Sequence, residues 1–128
     1  MEIPQLSQTE KEEGLRKAAE SPRHRHAKIL HEPWDELNRA FNFLLPDSYM
    51  QPHHHPSAEK VESIHIVEGK IAVIFFDDRG GIREIFVLEP GGRTEIDVPA
   101  FTWHTYVVLS DDVITYETMR GVYDPKTW

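Results

Sequence analysis

The chain has 128 residues, no cysteine, and 14 Lys+Arg against 22 Asp+Glu for a formal charge of -8. These numbers exclude disulfides and thiolate metal sites, leave room for one domain with one modest core, and lack the clustered positive field of a nucleic-acid binder. No apolar run reaches transmembrane length and the acidic, proline-containing N-terminus is unlike a signal peptide, so the expectation is a soluble cytoplasmic protein with no membrane partner.

Ser7-Gln8-Thr9-Glu10 has the spacing of a capping box, and Arg16 and Lys17 stand toward the far end, where the helix dipole favours cations. Ser21-Pro22 ends this helix, because the residue before proline avoids helical geometry. Its apolar face is thin (Leu15, Ala18, Ala19), and Gly14 weakens its middle. Residues 1–22 are therefore expected to form a helical arm, lying on the periphery or docking on a second subunit, and residues 23–128 the main domain. Arg23-His24-Arg25-His26 with Lys28 makes a short basic stretch that suits a phosphate or sugar phosphate, or is a solvated turn.

Residues 27–31 and 39–45 read as short extended pieces around the turn Glu32-Pro33-Trp34-Asp35, although 39–45 also fits a helical turn. From Tyr49 onward the pattern is β. Strands are expected over 61–68, 70–77, 82–89, 93–98, 103–109 and 113–119, separated by turns such as Asp78-Arg79-Gly80-Gly81 and Pro90-Gly91-Gly92. Short strands at this spacing suggest an antiparallel sandwich or barrel. The run Ile71–Phe76 is apolar on both faces, so it should be covered on both sides, the outer side by the arm or by a second subunit of a homodimer.

Three histidines stand in a row at His53, His54 and His55. Alternate residues of a strand share a face, so His53 and His55 can aim two imidazoles at one point while His54 turns away. Glu62, Gly69 and His104 follow in order. Two imidazoles, a carboxylate and a third imidazole converging would form a divalent-metal site. Glu59 rivals Glu62, but parity counted back from Gly69 puts Glu62 on the apolar face of Ile64 and Ile66, so Glu62 is preferred; His65 falls on the opposite face and reads as structural. Tyr49 and Gln51 share parity with His53, and Tyr106 shares it with His104, so all three are candidates for the pocket lining, with ordinary interior tyrosines as the plainer alternative. Arg39 and Asn42 precede the metal segment and suit a carboxylate or sugar hydroxyl.

His53-x-His55, Glu62 and Gly69 resemble the first motif of the cupin superfamily, with a longer His-to-Glu gap than usual, and Pro99–His104 resembles its second motif, with Phe101 in place of glycine. The resemblance implies a mainly β, single-domain jelly-roll barrel holding one metal. Glycine commonly supplies positive φ in such a turn, and phenylalanine adopts it poorly, so a different turn is expected at Phe101. Ser21-Pro22-Arg23, His31, Asn42, Ser48-Tyr49, Pro52–Pro56, Thr102-Trp103-His104 and Gly121-x-Tyr123-Asp124-Pro125 look like the WbuC family of cupin-fold metalloproteins, over roughly residues 15–125. That likeness implies a link to surface-polysaccharide metabolism and assigns no reaction.

Nitrogen and oxygen ligands of intermediate hardness suit a divalent transition metal, here Fe, Zn, Ni or Mn. Such a site can support isomerisation or epimerisation of a sugar-related small molecule, although no base is identifiable from sequence. The alternatives are a metal-dependent binding or sensor module without turnover and an Fe(II) oxygenase; an inert barrel ranks last, because it would bury a polar cluster without partners.

Overall fold

The computed structural model describes residues 2–122. One helix, α1 (Gln8–Glu20), precedes eight strands: β1 (Arg25–Ile29), β2 (Leu37–Leu44), β3 (Glu62–Glu68), β4 (Ile71–Phe76), β5 (Ile82–Leu88), β6 (Glu95–Val98), β7 (His104–Val108) and β8 (Val113–Arg120). They form two antiparallel sheets, one ordered β1-β2-β8-β3-β6 and the other β5-β4-β7. The fold is the mainly β jelly-roll type expected from the sequence.

Alternation along each strand builds the core between the sheets. Leu44, Ile64, Ile66 and Val113 of the larger sheet meet Ile71, Val73 and Leu88 of the smaller one. The outer face of the larger sheet carries a second cluster, in which Phe41, Phe43, Ile114 and Tyr116 pack with Ala18 of α1. The arm thus lies on its own sheet. Gly14 has a packing reason: a Cβ there would run into the Phe43 ring, so the missing side chain lets α1 settle on β2.

The capping box forms as written in the sequence, with Ser7 Oγ accepting from the Glu10 N–H and Glu10 accepting from the Ser7 N–H. Lys11 reaches Glu68 at 2.6 Å and Lys28 reaches Glu10 at 2.7 Å, tying the helix to β3 and β1.

One open reading is settled and one expectation changes. Residues 39–45, left open between strand and helical turn, lie largely in strand β2, which pairs with β1 and β8 along its length. The segment from Tyr49 to Lys60, read as the start of the β pattern, holds no strand; its one β feature is an isolated bridge between His53 and His104. The prolines at 52 and 56 explain this, since proline cannot donate to a ladder.

Candidate metal centre

The bridge that replaces a strand still brings the histidines together. His53 N–H donates to the His104 carbonyl at 3.1 Å, and His104 N–H donates back at 2.9 Å. Phe101 N–H donates to the His55 carbonyl at 3.0 Å, so the loop before β7 and the first residue of β7 hold the His53–His55 segment at two points. Phe101 itself takes a φ of 61°, the left-handed conformation that glycine favours, and its side chain projects outward at 59% exposure. The expected different turn is therefore not seen: the phenylalanine accepts the strained conformation, stabilised by the tie to His55 and by the absence of any need to bury its ring.

One ligand atom from each of His53, His55 and His104 lies within 4.8 Å of the others. Glu62, on the inward face of β3, places Oε2 at 3.2 Å from His55 Nε2 and 3.6 Å from His104 Nε2. His53 Nδ1 donates to the Gln51 carbonyl at 3.0 Å, and His104 Nδ1 donates to the Thr102 carbonyl at 2.8 Å. Those bonds fix each ring's tautomer and leave the Nε2 lone pair facing inward, the arrangement metal-binding histidines use. His104 Nε2 is fully buried with no hydrogen-bond partner, an uncompensated lone pair that a cation would satisfy. The residues present therefore fit a divalent metal.

The electrostatics divide two carboxyls. Burial alone would raise Glu62, but the contacts with His104 and His55 outweigh it and hold the group well below the usual carboxylate range. Burial, followed by the charge of Glu62, pushes Glu117 well above that range. Tyr106 links the two: its hydroxyl donates to Glu62 Oε1, with Glu117 Oε1 at 3.5 Å. Asn42 Nδ2 and Thr115 Oγ1 donate to Glu117 Oε2, the latter at 2.7 Å. Burial also lowers His53, with His104 adding to the effect, which favours the neutral imidazole.

A cavity of about 380 Å³ opens from this cluster and is lined by His53, His55, Glu62, Asn42, Glu117 and His31 among others. Arg39 belongs to the lining too, although it shares parity with Phe41 and Phe43 of the outer face. Tyr106 is buried behind the cluster. Tyr49 and Gln51 are not brought into the cavity: Tyr49 is 70% exposed and Gln51 is exposed, because parity does not carry through a segment that is not a strand. Glu59 is also exposed and lines a different cavity beside Gly121, away from the histidines. His54 packs edge-on against Trp103, with ring centroids 4.3 Å apart, and His65 pairs outward with Glu95 at 3.0 Å.

The sequence reading missed Glu117. Its signal was a lone acid within Val113–Met119, on the same parity as Val113 and Thr115 and hence facing inward.

A family profile described as "Domain of unknown function (DUF6016)" matches residues 6–88. The chain belongs to that family. The matched span of this DUF6016 chain holds His53, His55 and Glu62 and stops before His104. No curated protein matches the sequence. Among solved structures, an RmlC-like cupin family protein from Methanocaldococcus jannaschii is similar at 14% identity, TM-score 0.59, over 77% of this chain and 81% of that one. An oxalate oxidase in complex with the substrate analogue glycolate is similar at 12% identity, TM-score 0.63, over 80% of this chain and 54% of its own. The oxalate decarboxylase of Lactobacillus farciminis follows at 19% identity, TM-score 0.56, over 70% and 25%. The DUF6016 chain thus spans about half the length of the oxidase and a quarter of the decarboxylase. At these identities the likeness is one of fold, and the fold is that of the cupins.

Proposed function

We propose that this chain is a WbuC-type metal-binding cupin of the cytoplasm that acts on a sugar-related small molecule in surface-polysaccharide metabolism. His53, His55, Glu62 and His104 would hold one divalent metal, Fe, Zn, Ni or Mn. The observation that carries this is the pair of carbonyl-anchored imidazoles, His53 and His104, with the unsatisfied Nε2 of His104 turned toward Glu62 and His55. When bound, such a metal supplies Lewis-acid polarisation of a ligand's oxygen.

The chain's own residues supply the rest. Glu117 stands on the cavity wall, where its carboxyl can take a proton from a bound ligand or return one at Oε1 or Oε2, the role that isomerisation or epimerisation requires. Asn42 and Thr115 fix its orientation, and Tyr106 holds it in contact with Glu62. A homodimer belongs to the same reading, since α1 covers the larger sheet and leaves the outer face of the smaller one open.

Elemental analysis of untagged protein tests the site. The expected result is near-stoichiometric metal that disappears in the His53→Ala/His104→Ala double variant. No metal in either protein, even after reconstitution, would overturn the reading. With metal established, turnover of sugar phosphates or nucleotide sugars that falls at least about 100-fold in Glu117→Gln, with metal retained, would support the proton-transfer role. Saturable ligand binding without product would favour the sensor module, and iron with oxygen consumption would favour the oxygenase.

A further inference from the structure

Arg25, Ala27 and Ile29 are alternate residues of β1, so they share one side of this edge strand. Two cavities follow that side. Ile29 lines the histidine cavity, Arg25 lines a second cavity of about 440 Å³, and Ala27 lines both, as do Asn42 and Glu117. Ser21 and Arg23 complete the second cavity at the end away from the histidines, and Tyr106 forms part of its inner wall.

The charges at that end are unbalanced. In this part of the chain Lys11 pairs with Glu68, Arg16 with Glu20, Lys17 with Glu13, His24 with Asp47 and Lys28 with Glu10. Among the described residues no carboxylate pairs with Arg23 or Arg25, although the chain has 22 acids to offer. His24, between them, takes a φ of 53° and turns to Asp47, while both flanking arginines line the cavity. Burial, and after it the charge of Arg23, push the Arg25 guanidinium down.

We propose that the Arg23–Arg25 cavity binds the phosphoryl group of a small molecule whose remainder runs over Ala27 into the histidine cavity. Two guanidiniums match a phosphoryl dianion in charge, and each offers the planar fork that chelates two of its oxygens. Ala27 lies two residue steps along the strand from Arg25, a rise of roughly 7 Å, within the length of a phosphorylated monosaccharide. The phosphoryl site stands without the metal reading; the bridging of the two cavities rests on it.

The test uses the full chain, first treated with chelator so that no metal recruits the anion. Titration with inorganic phosphate, followed by calorimetry or phosphorus NMR, should saturate and should weaken tenfold or more in Arg23→Gln and in Arg25→Gln. The same titration should be unchanged in His53→Ala and in Arg79→Gln, which removes an exposed arginine on the β4–β5 turn. Absence of saturation overturns the proposal, as does equal weakening by Arg79→Gln, which would reduce the effect to net charge. In metal-loaded protein, glucose 1-phosphate should bind more tightly than phosphate and lose that advantage in His53→Ala. Equal affinity for the two overturns the bridging and leaves the arginine site standing. Phosphate binding in a protein that takes up no metal would fail the metal reading alone.

Discussion

Phe101 places a bulky side chain at a φ of 61°, where Cβ crowds the following carbonyl. The conformation lets its N–H reach the His55 carbonyl, so the strain sits beside the His53–His55 segment and helps to position it. Comparing Phe101→Gly with Phe101→Ala isolates this strain, because both variants lose the ring and only alanine keeps the Cβ. The glycine variant should be more stable than the alanine variant by about 1 kcal/mol, read as a higher urea midpoint at unchanged slope. Equal midpoints would mean that the turn carries no strain. At this scale the sequence was informative about which side chains come together and poor about conformation. His53, His55, Glu62 and His104 were legible because spacing and parity survive even where His53 meets His104 by a single bridge. The turn at Phe101 was not, because the tie to His55 that holds it is a contact between residues far apart in sequence.

At the scale of elements, β2 shows why pattern reading stalled. Its inner face carries Asn38 and Asn42, which face the cavity, while Phe41 and Phe43 lie outside beneath α1. A cavity made the interior polar and a helix made the exterior apolar, so the strand does not read as apolar-in and polar-out. By contrast α1 was legible from its capping box, a local device. Glu10 serves that box and also meets Lys28 of β1 at 2.7 Å. The Lys28 hydrogen bond, then the contacts with Ser7, lower its carboxyl from 4.5 to about 2. A depressed carboxyl contributes stability that is present above its unfolded value and lost as pH falls toward its folded one. The stability gap between the wild-type chain and Glu10→Gln should therefore be larger at pH 6 than at pH 3. It should also be modest and shrink in high salt, since the pair is partly exposed. Urea midpoints at the two pH values decide this, and a gap that widens on acidification would refute it.

For the whole molecule, the two sheets differ in what covers their outer faces. The helix packs on the five-stranded sheet, so the three-stranded sheet has no second layer among the described residues. Its outer face presents two cross-strand rows, Val87–Ala72–Val107 and Ile85–Ile74–Thr105, with Ile85 at 55% and Val107 at 43% exposure. An apolar strand paired on both edges and open on one face gains by meeting a like surface, and a two-fold axis through Ile74 would bring equivalent rows together. The expected mass in light scattering after size exclusion, at tens of micromolar, is that of a dimer. Ile85→Glu/Val107→Glu should shift it to a monomer, because each charge would otherwise be buried without a partner in the interface. Metal content should persist, since His104 is buried on the inner face of this sheet, the face opposite these rows, and His53 and His55 gather with it there. A monomeric wild type would sink the dimer. A dimer that survives both substitutions would place the contact elsewhere, most directly at β1, the sheet edge whose exposed Ala27 and Ile29 border both cavities.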